Sequence, residues 1–312
     1  MKTWQADLMI LLAASIWGLS YIFGRWGLSS CSPALFLVLR FSVAALAVYP
    51  LIRRSFAKAT NRLRLEGLIL GLSMGGGYLL QTYSLNFTSV ARASFLTGMC
   101  LIGIPILGYV LFRQVIRAHS LAGVAIAVIG LYVFLDPGFS GVNVGDLIGL
   151  VAIPVWALYM IYVSVYTEGK TDPDITCLYL FWQLVGVIPL ALLAFVVFES
   201  GLLLPPLHPD LGKGLSVTPI FMVGLLLSAL FSSLLTVYLQ TKAQRFTTAV
   251  QAMICFQMEP VTAIVAAWLI LGEPISAHAI VGGLIIISAV LISELGGLWA
   301  ENSEKVDRGQ RS

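Results

Sequence analysis

The stretch Asp7-Leu8-Met9-Ile10-Leu11-Leu12-Ala13-Ala14-Ser15-Ile16-Trp17 returns 139 positions later as Asp146-Leu147-Ile148-Gly149-Leu150-Val151-Ala152-Ile153-Pro154-Val155-Trp156. Each copy is an acid, nine apolar or small residues and a tryptophan. Three further matches follow in the same order. Ser32-Pro33 through Arg40-Phe41 pairs with Asp172-Pro173 through Leu180-Phe181 at an offset of 140. Phe87-Thr88-Ser89 pairs with Phe246-Thr247-Thr248, and Ala118-His119 through Gly123 pairs with Ala277-His278 through Gly282, both at an offset of 159. Each match is weak alone, but four in one order mark an internal repeat. The extra length in the second copy falls mainly around 198–215, where Pro205, Pro206, Pro209, Gly212 and Gly214 read as an irregular loop.

Composition fixes the solvent of these repeats. Of 312 residues, 59% are hydrophobic and 11% charged, against roughly 25% charged in an ordinary soluble domain. So few charges cannot make a water-exposed surface at this length, whereas a bilayer supplies an apolar one to spans of about 20 residues. Apolar runs punctuated by charge, Pro and Gly predict spans at 7–27, 33–52, 66–86, 90–112, 118–135, 146–166, 174–197, 216–240, 248–271 and 277–298. The expected fold is therefore an all-α integral membrane protein of ten transmembrane helices. It comprises two five-helix repeats, 7–137 and 144–298, and a polar tail at 299–312. The first apolar run, 8–23, is longer than a signal-peptide core and is read as an uncleaved span.

Lys and Arg set the expected orientation. With the N-terminus inside, 14 of the 18 fall on the cytoplasmic side, five of them between Arg53 and Arg64. Both termini are then cytoplasmic, in a multi-pass protein of the cell inner membrane or plasma membrane. Because five is odd, the second repeat enters the membrane upside down relative to the first. Inverted repeats of this kind characterise transporters, with the binding site near the midplane between the halves.

Several motifs sharpen this reading: Trp17-Gly18 in the first span, Arg40-Phe41 in the second and Phe87-Thr88-Ser89-Val90-Ala91 opening the fourth. The ninth contributes Glu259-Pro260-Val261-Thr262-Ala263, then Leu271-Gly272-Glu273-Pro274, with Gly282 in the tenth. On these residues, over roughly 7–298, the chain resembles the EamA-type transporters of the drug/metabolite transporter superfamily. The resemblance implies ten helices and transport of amino acids, nucleosides, sugars or other small metabolites. One departure is plain: Arg113-Gln114 stands where the first repeat normally carries a Gly-Glu-like step.

The candidate substrate-binding residues are the aromatic and amide side chains of the repeat-related spans. Trp17 and Tyr21 share a face of the first span with Ser20, and Trp156 and Tyr159 share one of the sixth with Met160. Tyr78 and Gln81 lie on the third span, Gln183 on the seventh and Gln257 on the ninth. Aromatic walls with a few amides suit a small organic solute, although interfacial aromatics and interhelical hydrogen bonds explain many such residues equally well. Glu259 is a carboxyl at mid-span, where charge is expensive and faces a partner or a wet cavity. It reads either as a coupling or amine-binding group, or as a structural group satisfying the backbone opened by Pro260. Arg40, about 10 Å into its helix, is expected to snorkel to the interface or to pair inside the bundle. Arg25 and Arg92 read as interfacial charges.

No catalytic set, P-loop or metal-ligand spacing appears, so no cofactor and no metal are expected. Cys31, Cys100, Cys177 and Cys255 lie far apart and read as small buried hydrophobes. The net charge of +3 is spread along the chain and does not suggest a nucleic-acid partner. The expected partners are a small-molecule substrate and the lipid bilayer, with a homodimer left open. The function predicted is alternating-access secondary transport, more specifically export of amino acids or related compounds. A non-transporting membrane sensor or receptor, or an intramembrane enzyme, is the alternative.

Overall fold

A computed structural model of the protein describes residues 3–113, 118–134, 143–170, 172–203, 211–212, 214–272, 275–278, 280–289 and 291–292. Pro205, Pro206, Pro209, Gln114, the Glu273-Pro274 pair and the tail 299–312 lie outside them. The described residues form helices: α1 Thr3–Leu28, α2 Pro33–Ile52, α3 Asn61–Phe87, α4 Val90–Gly98, α5 Cys100–Phe112, α6 Ala118–Phe134 and α7 Val144–Thr167. They continue with α8 Pro173–Glu199, α9 Pro219–Phe246, α10 Ala249–Leu271 and α11 Ile280–Ala289. No strand occurs among the described residues. By length and hydropathy α1, α2, α7, α8, α9 and α10 are each able to cross a membrane, accompanied by shorter apolar helices. The long helix α3 misses that set because its charge-free part is diluted by Gly75, Gly76, Gly77, Tyr78, Gln81 and Thr82.

Sequence chemistry sets the helix starts. Pro33, Pro173 and Pro219 occupy first turns, where a missing N–H costs nothing. Thr60, Ser89, Thr218 and Thr248 cap α3, α4, α9 and α10 by accepting from the N–H three residues on. Asn143 and Asp146 form a reciprocal capping box on α7. At α2 the Ser32 side chain makes no cap. Glu199, from the end of α8, does so instead: its two oxygens accept from Ala34 N at 2.8 Å and Leu35 N at 3.3 Å.

Two features went unread in the sequence. First, the single span expected at 90–112 is broken at Met99, and α10 carries a matching break at Gln257. The breaks meet, with Gln257 Nε2 donating to Gly98 O at 3.3 Å. Second, α8, α9 and α10 contain wider π-helical turns at Phe195–Glu199, Ser228–Leu235 and Ala267–Leu271.

The repeats interlock rather than sit side by side. α1 packs mainly on α9 and α10, while its repeat partner α7 packs on α3, α4 and α5. Thus the first helix of each half is buried in the other half. α2 lies antiparallel to its partner α8, since Glu199 reaches the start of α2 while Lys58, just past its end, reaches Asp172 and Asp174 at 3.3 and 2.5 Å. α3 advances parallel to α8, with Gly67 on Trp182, Gly71 on Gly186 and Gly75 on Val187. A Cβ on Gly71 would stand 2.4 Å from Gln183 O and 2.7 Å from Gly186 Cα. That is backbone against backbone, the close approach that small residues allow in a membrane.

Polar clusters tie each end. At the Lys58 end, Glu66 accepts from Arg62 at 2.8 Å, from Lys170 at 2.6 Å and from the Tyr179 hydroxyl, while Arg245 donates to Lys170 O. At the Glu199 end, Asp146 accepts from Arg92 at 2.9 Å and from Thr88 Oγ1 at 3.0 Å, and Arg25 donates to Thr88 O at 2.8 Å. Arg25 and Arg92 are therefore bonded to neighbouring helices, not merely interfacial as expected. Hydrogen bonds at these loop ends have no equal in the sequence periodicity, which registers only apolar faces.

Two outcomes follow. Gly71→Val should lower the melting temperature of purified protein by the equivalent of about 1–3 kcal/mol, the usual overpacking cost; an unchanged melting curve would mean the α3–α8 approach is looser than described. In a cysteine-free background, a cysteine at exposed Leu202 should react with an impermeant maleimide on intact cells, and one at exposed Ala57 should not. The reverse pattern would invert the expected orientation.

Candidate functional site

The interlocking brings the two repeat-related tryptophans together: Trp17 and Trp156 lie with ring centroids 6.2 Å apart. Each is fixed by its own helix neighbours. Trp17 stacks on Phe256 at 4.9 Å and donates its indole N–H to Ser232 O at 2.8 Å, a carbonyl within the π-helical part of α9. Trp156 lies over Gly77, where a Cβ would come within 2.7 Å of the indole, and meets Tyr78 edge-on at 5.0 Å. Between them is a cavity lined by Trp17, Ser20, Tyr78, Gln81, Thr97, Cys100, Trp156, Met160, Met253, Phe256 and Glu259. The rings fill it closely.

Among the described residues Glu259 is the one carboxyl in this wall. It is 6% exposed, and Oε1 accepts from Tyr21 OH at 2.8 Å. Gln81 Nε2 donates to Tyr21 OH at 2.7 Å and to Thr97 Oγ1 at 3.1 Å, so α1, α3, α4 and α10 converge on one bonded group. The carboxyl does not turn back to satisfy the backbone around Pro260; there the Thr262 hydroxyl bonds Met258 O and Glu259 O. The position related to Glu259 by the 159-residue offset is Cys100, whose Sγ bonds Ile153 O at 3.4 Å. A symmetric framework thus carries a carboxyl on one side only.

Of the residues singled out in the sequence, Trp17, Tyr78, Gln81, Trp156 and Glu259 line the cavity, and Tyr21 holds Glu259 from beside it. Tyr159 packs edge-on against Trp156 at 5.7 Å but turns its hydroxyl to Gln183 and Gln240. Gln183 also donates to Thr241, so both belong to a buried amide network away from the cavity wall. Gln257 pins backbone at Gly98 and Met253. Arg40 does not snorkel. It is 4% exposed, donates from Nε to Ser233 Oγ at 2.7 Å, and holds its guanidinium 4.7 Å from the Tyr78 ring centroid, behind the cavity wall. Thr97, Cys100, Met253 and Phe256 were not foreseen as lining residues. The repeat offset was the available signal, because Thr97 and Phe256, like Cys100 and Glu259, are 159 apart.

Apolar helices built for a bilayer, interlocked as two repeats around a central, aromatic-walled cavity that holds one carboxyl, define a multi-pass membrane transporter. The chain belongs to the EamA-like transporter family, whose family model matches residues 4–135 and 143–295, within the drug/metabolite transporter superfamily. An Archaeoglobus fulgidus protein described as an uncharacterized transporter is 26% identical over 94% of this chain and 87% of its own length. An Escherichia coli protein described as a probable amino-acid metabolite efflux pump is 23% identical, over 93% and 95%. A known crystal structure shares the fold, with a TM-score of 0.69 at 14% identity over 95% of this chain and 98% of that one. The Archaeoglobus fulgidus and Escherichia coli relatives are transporters by description rather than enzymes.

Tyr21→Phe should destabilise the protein by about 1–3 kcal/mol, since it strips Glu259 of its bonded donor inside the bundle. A melting temperature equal to the parent's would show that water or a neighbour replaces the hydroxyl at no cost.

Proposed function

We propose that this chain is a secondary transporter of the inner or plasma membrane. It exports amino acids or related small metabolites by alternating access through ten spans, with both termini cytoplasmic and the repeats at 7–137 and 144–298. The observation that carries the reading is the placement of the cavity: it lies between the repeats, with Trp17 and Trp156 as its related walls. A site on the axis relating two inverted halves is reached from either side when one half rocks against the other. The bonded clusters around Glu66 and Asp146 close opposite ends of the bundle, as the two gates of such a cycle would. Export draws support from the description of the Escherichia coli relative. The wall chemistry, in which aromatic and thioether groups dominate and a few polar groups orient, suits a small organic solute.

The test is counterflow in proteoliposomes with labelled amino acids and metabolite mixtures. Saturable, protein-dependent exchange is expected, and Trp156→Phe should weaken apparent affinity several-fold, by roughly 1 kcal/mol, while expression stays intact. Absence of exchange with every mixture, from protein that remains folded, would favour the sensor reading.

A further inference from the structure

We propose that the cavity recognises its solute through an ammonium group, and therefore that the substrate class is organic amines with an apolar or aromatic body. This rests on the transporter reading and narrows its substrate. Glu259 is more than nine-tenths buried and lines the cavity, yet its one hydrogen bond among the described residues engages Oε1. Oε2 is left to accept from a guest. The same cavity is walled by Trp17, Phe256, Trp156 and Tyr78, whose rings are linked to one another by centroid distances of 4.9, 6.2 and 5.0 Å. Electron-rich ring faces attract a cation within about 6 Å, most strongly where water is excluded. Carboxylate and rings together make a site for R–NH3+, whose N–H groups donate to Oε2 and whose body lies along the indoles.

The same wall disfavours anions. Among the described residues no Lys, Arg or His lines the cavity; its other polar groups, on Ser20, Tyr78, Gln81, Thr97 and the indoles of Trp17 and Trp156, are neutral. Arg40 stands behind Tyr78 and is held there by Ser233. A solute carboxylate brought beside Glu259 would meet like charge in a desolvated space without a cationic partner. Because the repeat-related residue is Cys100, the site offers one charge and not a pair. An α-amino acid satisfies the ammonium half of the site and pays for its carboxylate, so the corresponding amine binds more tightly.

Matched compounds decide this: phenethylamine against 3-phenylpropionate, and hexylamine against hexanoate, with phenylalanine as the zwitterion. Binding to the full-length protein in nanodiscs is measured by calorimetry. Each amine should bind at least about tenfold more tightly than its matched acid, the range of a charge-assisted hydrogen bond, with phenylalanine between phenethylamine and 3-phenylpropionate. Glu259→Gln keeps an acceptor for Tyr21 and should cost the amines about tenfold or more without weakening the acids. Acids binding as well as amines to the parent protein would overturn the proposal without recourse to any variant, and so would amine affinity indifferent to Glu259→Gln. Flux of the same compounds separates the two readings. Amine binding without movement of any solute would defeat transport and leave the recognition standing. Movement of amino acids with no amine preference in binding would do the opposite.

Discussion

Everything in this molecule depends on how closely helix backbones approach at the seams between the repeats. In hydrocarbon there is no hydrophobic force between helices, so association rests on close packing and on a small number of polar contacts. Gly18 shows the constraint at its tightest. A Cβ there would stand 2.6 Å from Glu259 O and closer still to the Thr262 side chain. That single seam seats α1 on α10, brings Tyr21 within hydrogen-bond reach of Glu259 and sets Trp17 on Phe256. The same logic on the other side lays Trp156 on Gly77 and places α7 against α3. Exchange of first helices between the halves is the consequence, and the cavity is what remains between the two exchanged tryptophans.

The framework is nearly two-fold, but its chemistry is not. Caps at Ser89 and Thr248, breaks at Met99 and Gln257, and tryptophans at 17 and 156 repeat faithfully. Charge does not. Arg40 corresponds to Leu180, and Glu259 to Cys100. On the proposed alternating-access reading, symmetry serves the motion that opens one site to both sides of the membrane, whereas the proposed solute, with a head and a body, needs an asymmetric site. Placing the carboxyl on α10 alone satisfies both requirements. The π-helical turns add to this asymmetry: the stretch in α9 offers Ser232 O to Trp17, and no matching turn occurs among the described residues of α3.

Buried polarity elsewhere is matched to partners rather than left to lipid. The Tyr159, Gln183, Gln240, Thr241 and Gln244 network joins α7, α8 and α9 on the Lys58 side of the cavity. In a low-dielectric interior such a network specifies one arrangement sharply.

The sequence by itself determined the membrane setting, the helical class, the order of the repeats and most helix limits. Each of these follows from local pattern: apolar run length, the caps and prolines at helix starts, and the recurrence of Asp7–Trp17 at Asp146–Trp156. It also marked Trp17, Trp156, Tyr78, Gln81 and Glu259, because aromatic, amide or charged side chains at mid-span are conspicuous against an apolar background. Only the tertiary structure decided which of these share a cavity. Tyr159, Gln183 and Gln257 carry the same local signature, yet bond away from it. Arg40, legible only as a residue that either snorkels or pairs inside the bundle, is buried behind Tyr78 because α9 supplies Ser233 at that depth. The physical reason is common to all four. Apart from the bond of Gln257 to Met253 O one turn back, the partners of these side chains lie from 24 to 193 residues away along the chain, and are fixed by glycine-set helix approaches that no local periodicity encodes.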